Sequence, residues 1–278
     1  MNSIIQVKSV SKCFPGVLAL NSVNMEVFPG EVLAIVGENG AGKSSLMKIL
    51  SGIDQPSSGS IFLDGRPVKI DSVPKAHSFG ISLIHQELSL SDNLSVEANI
   101  FLGREPLTWG FIDRREIHER SCELLSRLGL KIDPRWLVGN LTIGQKQLVE
   151  IARALSLKSR IIIMDEPTSS LSPAETELLL GRVEELRESG ISVIYISHRL
   201  GEIERLADRV YIFRDGKNVG EVRRGQFSHE SLVQMMIGRE ASRFYTRTPH
   251  QTGNTALAVV DLSTTAWPQH RVNFSIKQ

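Results

Sequence analysis

The sequence predicts an α/β fold built on a largely parallel sheet, and three observations predict it. Short apolar runs alternate with segments of helical period along most of the chain, as happens where helices join strands buried on both faces. The runs GISLIH (80–85), RIIIMDE (160–166), ISVIYIS (191–197) and RVYIFRDG (209–216) have strand length and β-branched content. A further run, EVLAIVG (31–37), passes through a glycine-rich loop straight into a helical pattern.

Taken in order, IIQVKSVS (4–11) and SVNMEVFPGE (22–31) alternate apolar and polar residues, the pattern of half-exposed strands. SLMKILSG, directly after Ser44, reads as a helix closed by glycine. Residues 88–158 differ, with helical patterns and few β-branched runs. There Asp113 and Glu116 cap a segment whose Ile117, Leu124, Leu125 and Leu128 share a face, so a helical subdomain is expected between two strands of the sheet. SPAETELLLGRVEEL (172–186) opens with Ser172 as cap, Pro173 at the first helical position and Glu175 closing a capping box. REASRFYTRTPHQTGNTA (239–256) is polar and turn-rich and reads as a linker.

The last segment has a counterpart near the N-terminus. Val272-Asn273 matches Val23-Asn24, and Phe274 and Ile276 stand where Met25 and Val27 do. ALAVVDLS (256–263) likewise matches IIQVKSVS, Val259 to Val7 and Ser263 to Ser11. The expected organisation is a domain over 1–238, a linker over 239–255, and over 256–278 the start of a second copy, cut before its counterpart of Gly30-Glu31.

Composition narrows the function. The 278 residues are 41% apolar and 23% charged, as in a soluble globular protein. No 18-residue apolar run and no secretory pattern is present, which points to the cytoplasm. A net charge of +1 gives no reason to expect nucleic acid or a lipid surface as main partner. The only cysteines, Cys13 and Cys122, have no Cys or His at ligand spacing, which argues against zinc and a disulfide framework; both read as half-buried apolar residues.

GENGAGKS (37–44) stands where a phosphate-binding loop belongs, after a strand and before a helix. Gly37, Gly40 and Gly42, with Glu38, Asn39 and Ala41 between them, let successive N–H groups curl around anionic oxygens. Ser45 continues into the helix, whose positive end faces the same ligand. Lys43 is placed to reach the β- and γ-phosphates of ATP and Ser44 to ligate magnesium. Asp165 emerges at the C-terminal end of IIIMD, where it can hold the hydrated ion, and Glu166 follows, placed to orient or deprotonate a water. In LTIGQKQLVEIARAL (141–155), Gly144 begins a helix whose Leu148, Ile151, Ala152 and Leu155 share a face. That is a second anion-binding helix end, with Thr142 and Gln145 as side-chain donors, or else a glycine-capped helix with no ligand.

LTIGQ resembles the signature motif of ATP-binding cassette (ABC) ATPases, which closes over ATP held by the phosphate loop of a partner domain. The resemblance covers residues 4–238 and implies a cassette with a largely parallel core sheet, an antiparallel β subdomain and an inserted helical subdomain. It implies that Phe14 stacks on adenine, although an early Phe is as readily a core residue. Gln86 in IHQE would touch magnesium and a transporter partner, His198 in YISHRL would contact the γ-phosphate, and SSLS (169–172) would cross the domain interface. Ile143 departs from the pattern, since most cassettes have glycine there. NIFLGREP (99–106), DEPTSSL (165–171) and MMIGRE (235–240) are similar to the tandem-cassette ATPase subunits of bacterial monosaccharide importers, of ribose, galactose and xylose type. That likeness implies a second cassette, in the same polypeptide or as a homodimer, separate permease subunits, a sugar-binding protein acting indirectly, and a place on the cytoplasmic face of the inner membrane. The rival readings are a soluble cassette ATPase acting on ribosomes or DNA, and a nucleotide-binding regulatory module.

Overall fold

A computed structural model describes residues 2–237 and 253–277, in two compact units, Met1–Arg239 and Glu240–Gln278. The first unit opens with the antiparallel strands β1 (Ile5–Phe14) and β2 (Val17–Val27), followed by β3 (Val32–Gly37) and α1 (Lys43–Leu50). β4 (Ser58–Leu63) and β5 (Arg66–Val68) complete a four-stranded sheet in the order β2-β1-β4-β5, the expected antiparallel subdomain. Then come α2 (Val73–Ser78) and β6 (Ile81–Ile84), and the helical insertion: α3 (Val96–Phe101), the short hairpin β7 (Leu107–Thr108) and β8 (Phe111–Ile112), α4 (Arg114–Arg127) and α5 (Ile143–Ser156). The chain returns to the sheet through β9 (Ile161–Asp165), α6 (Pro173–Glu188), β10 (Ser192–Ile196), α7 (Leu200–Leu206), β11 (Arg209–Arg214), β12 (Lys217–Arg223) and α8 (His229–Ile237).

The second sheet runs β12-β11-β3-β10-β9-β6, parallel except for the edge strand β12. β3, β9 and β10 are almost wholly buried, which is why they read as unbroken apolar runs instead of alternating ones. Consecutive residues face opposite sides. Ala34 and Val36 join the cluster under the helices, while Leu33 and Ile35 join the cluster shared with β1, β2 and α1. The phosphate-loop strand is therefore gripped from both faces.

The caps follow the sequence. Ser172 and Glu175 form the reciprocal capping box of α6, and Asp113 accepts from the Glu116 N–H at the start of α4. Two expectations change. The insertion contains the hairpin β7–β8, turned by Trp109 (φ 56°) and Gly110 (φ 83°), because two positive φ values make the tight turn that a two-residue loop needs. Cys13 and Cys122 are exposed and not half-buried: strand alternation and helix rotation put both on a solvent side.

Described by itself, the second unit is an antiparallel hairpin of β13 (Thr255–Thr264) and β14 (Trp267–Lys277). It repeats local details of β1–β2. Val7 pairs with Met25 and Val10 with Val23, with a register shift between; Val259 pairs with Phe274 and Leu262 with Val272, again with a shift between. Ser9 (φ 47°) gives its N–H to Asn24 Oδ1 at 2.9 Å, and Asp261 (φ 54°) gives its own to Asn273 Oδ1 at 2.7 Å. The expected linker lies mostly outside the described residues.

Candidate functional site

The loop after β3 is shaped by contacts that only glycine permits. A Cβ on Gly42 (φ 99°) would stand 2.5 Å from the Ala19 carbonyl oxygen and 2.9 Å from Leu20 Cδ2. The same carbonyl faces Gly216 (φ 72°), where an added Cβ would meet it at 2.8 Å. Hydrogen bonds from Gly216 N to Ala41 O (3.2 Å) and from Asn21 N to Gly216 O (2.8 Å) tie loop, hairpin and the Asp215-Gly216 turn together. The curl of the loop is thus fixed by close backbone contacts with β2 and the Asp215-Gly216 turn.

Lys43 is buried at the start of α1, its ammonium donating to Gly37 O at 2.7 Å and Glu38 O at 3.0 Å. Burial lowers its pKa, opposed by the charges of Glu166 and Asp165. Two of its three donors are used, leaving one to offer. The N–H groups of Gly42, Lys43 and Ser44 also find no acceptor among the described residues, as the first turn of a helix dictates. A cradle of this kind fits phosphate oxygens.

Asp165 ends β9, and Glu166 follows with φ 48°, a left-handed conformation that a non-glycine residue adopts only when its surroundings enforce it. The Glu166 N–H is held by Ile196 O at 2.9 Å. Its carboxylate has His198 Nε2 2.7 Å from Oε1 and accepts from Gln86 Nε2 at 3.3 Å on Oε2. Burial raises the pKa of Asp165, the neighbouring Glu166 charge adds to this, and Lys43 acts against it. No group of three His, Cys, Asp or Glu side chains at metal spacing exists among the described residues. The Ser44 hydroxyl, Gln86 amide and Asp165 carboxylate are instead the sparse oxygen set that suits a hydrated magnesium ion completed by phosphate oxygens.

Asn39 to Ser45, Glu166 and His198 line one cavity of about 390 Å³, whereas Asp165 is not in that lining and Gln86 lines a neighbouring cavity. The remaining wall of the Lys43 cavity is Val17, Leu18 and Ala19 of β2 with Asp215 and Gly216, none of them among the candidate site residues of the sequence. Asp215-Gly216 is a dipeptide that favours a tight turn, placed at the end of the apolar run RVYIFRDG, and the turn between β11 and β12 is what packs against the loop. Phe14 is not in this lining. It ends β1, part-exposed, with Lys12 Nζ 4.9 Å from its ring centroid.

The second helix end lies elsewhere. Thr142 and Gln145 form the capping box of α5: Thr142 Oγ1 accepts from Gln145 N at 3.2 Å, and Gln145 Oε1 accepts from Thr142 N at 3.0 Å. Gly144 N donates to Glu175 Oε1 at 3.2 Å, and a Cβ on Gly144 would stand 2.7 Å from that oxygen. Both side chains read as ligand donors thus also serve the helix itself. Thr142, Gly144 and Gln145 line a separate cavity of about 280 Å³ that shares no residue with the phosphate-loop cavity. Ile143 lines a third, with Gln86, Ser169 and Ser170.

A family model described as ABC transporter matches residues 20–169, more than half the chain. A putative ribose/galactose/methyl galactoside import ATP-binding protein of Pseudomonas syringae pv. tomato is 44% identical over 261 residues, 94% of this chain and 50% of that protein. The chain thus spans about half the length of the curated relatives it matches. Among solved structures, a nucleotide-free ATP-binding cassette from an ABC transporter superposes with a TM-score of 0.74 at 25% identity, over 88% of this chain and 99% of that one. The ATP-binding cassette MJ0796, a dimer in a post-hydrolysis state bound to ADP and Pi, gives 0.68 at 25% identity, over 80% of this chain and all of the other.

Proposed function

The chain belongs to the ABC transporter family, and on that premise we propose that residues 1–238 are one cassette that binds and hydrolyses MgATP to drive monosaccharide uptake through separate permease subunits. The observation that carries the reading is the convergence of Lys43, Glu166 and His198 on one cavity at the C-terminal ends of parallel strands. The sugar and the importing role rest on the names of the relatives.

In this reading Gly37, Glu38, Asn39, Gly40, Ala41, Gly42, Lys43, Ser44 and Ser45 cradle the phosphates. Ser44, Gln86 and Asp165 hold magnesium, which when bound spreads the phosphate charge. Glu166 takes the proton of the attacking water, and His198, 2.7 Å from it, fixes its direction and faces the γ-phosphate. Phe14, exposed at the end of its strand, offers a ring to adenine. Thr142, Gly144 and Gln145 serve ATP held by a second cassette, since they line no part of the cavity around Lys43. The chain works at the cytoplasmic face of the membrane through permease partners; no helix among the described residues is long and apolar enough to cross it.

Residues 256–278 are proposed as the opening strands of a second cassette. What supports this is the shared register shift, the shared positive φ and the shared Asn side-chain bond of the two hairpins.

Titration with a fluorescent ATP analogue tests the site. Lys43→Ala should abolish measurable binding in a protein that melts normally, and unchanged affinity would overturn the assignment. Purification from membranes tests the importer role, which requires permease subunits in stoichiometric amount. The coding frame past Gln278 should continue into Gly-Glu, an apolar strand and a second glycine-rich loop.

A further inference from the structure

The carboxyl group of Glu202, on α7, is buried against the back of the hydrolytic site. Thr168 Oγ1 donates to it at 2.7 Å on Oε1 and 2.9 Å on Oε2. Tyr195 OH and Ser197 Oγ each donate to Oε2 at 2.9 Å. Arg199 Nη1 stands 3.6 Å from Oε1, and the Arg199 N–H returns to Ser197 Oγ at 3.0 Å.

The donors are placed with purpose. Thr168 lies two residues after Glu166, across Pro167, and Ser197 directly precedes His198. One carboxyl group therefore holds both segments whose side chains meet 2.7 Å apart at the cavity. Packing does not require it, because Leu200, Ile203 and Leu206 already bury the inner face of α7. A buried carboxylate costs several kcal/mol to desolvate, and an apolar residue would fill the space more cheaply. Convergent hydrogen bonds instead fix positions in a way that apolar contacts do not. The positive φ of Glu166 needs such restraint on both sides: Ile196 O holds its N–H before the turn, and Thr168 is pinned after it.

We propose that Glu202 is a positioning residue that sets the separation of Glu166 and His198. The proposal rests on the reading of those two as the hydrolytic pair. Burial and the Glu202 charge push the Tyr195 phenol well above its ordinary pKa, so it remains a donor to this carboxyl group throughout the working pH range.

The test is steady-state ATPase and ATP-analogue binding with E202Q, Thr168→Val and Ser197→Ala in the whole chain. Gln is nearly isosteric, and the hydroxyls can rotate to accept from its amide, so E202Q keeps the fold. Its kcat should fall about tenfold or more, since misplacement of a reacting group by about 1 Å can cost about 100-fold. KM, the number of nucleotides bound and the melting temperature should stay close to wild type. Thr168→Val should lower kcat by itself and add little to E202Q. Wild-type kcat in a folded E202Q protein overturns the proposal, and so does a loss of activity matched by an equal loss of nucleotide sites. Glu166→Gln measured alongside separates the premise. Turnover retained there removes the hydrolytic reading and the proposal with it, whereas turnover lost there and kept in E202Q removes only the role of Glu202.

Discussion

Nε2 of His198 stands 2.7 Å from Oε1 of Glu166, across the gap between the ends of the parallel strands β9 and β10. Glu166 turns into the gap through its positive φ, its N–H anchored by Ile196 O. Gln86 Nε2 reaches the second oxygen at 3.3 Å from beyond β6, so the carboxylate that follows β9 is aimed by groups from the ends of two other strands.

Glu166→Gln should therefore lose turnover and keep binding. The amide preserves size and can still meet His198 and Gln86, but it accepts no proton from water. A positioned general base is worth about 100- to 10,000-fold, and kcat should fall within that range. The check is single-turnover hydrolysis beside an ATP-analogue titration; turnover near wild type would remove Glu166 from its role.

Gly42→Ala should damage loop and binding together. The new methyl would stand 2.5 Å from the Ala19 carbonyl oxygen, at φ 99°, so backbone must shift. Strain of this kind costs about 1–3 kcal/mol. Wild-type protein should melt higher in MgATP, and the variant should melt lower and lose that ligand-induced rise. A normal melt with a full shift would mean that the hairpin yields freely.

The sheet, the caps and the phosphate loop were legible because each depends on nearby residues. Ser172 and Glu175 are three apart, and the buried strands declare themselves by unbroken apolar runs. The other wall of the cavity was not legible. Ala19 and Gly216 are remote in sequence, and only the folded β2 and the β11–β12 turn bring them to Gly42. Glu202 was hidden for the same reason: a Glu at the start of a short helix looks solvated until the hydroxyls of Thr168, Tyr195 and Ser197 are found on it. The capping box of Thr142 and Gln145 carries the same three-residue spacing, a local signal that a reading of both side chains as ligand donors passes over.

Asp165→Asn should stabilise the protein near neutral pH while weakening magnesium-dependent binding. The Asp165 pKa is raised by burial and by Glu166, so the native state holds the proton longer than the unfolded chain. Stability from this group then falls as pH rises from the ordinary Asp range through the raised value, and stays lower above it. Asn removes that penalty. Its melting temperature should exceed wild type at neutral pH and converge with it as pH drops below the ordinary Asp range. A constant difference at all pH values would place the effect in packing and not in charge.

Glu31→Ala should be among the most destabilising single changes far from the nucleotide. Arg209 reaches Glu31 through Nε and Nη2, each at 2.9 Å, and Glu221 through Nη1 at 2.9 Å, while Nη2 also donates to Glu26 O at 2.6 Å. Burial alone would lower the Arg209 pKa, but its bonds to Glu31 and Glu221 leave it raised. Removing Glu31 strips the buried guanidinium of its two-pronged partner and frees the Phe28 N–H, which donates to Glu31 Oε1 at 2.5 Å. Removal of one partner of a buried pair costs about 3–5 kcal/mol. The loss falls where β3 enters the sheet beside β11, and β3 leads directly to the phosphate loop. Urea unfolding should show a midpoint well below wild type, with Glu31→Gln intermediate because the amide oxygen restores part of the contact. A midpoint unchanged in Glu31→Ala would mean that Glu221 and the Glu26 carbonyl suffice to hold Arg209.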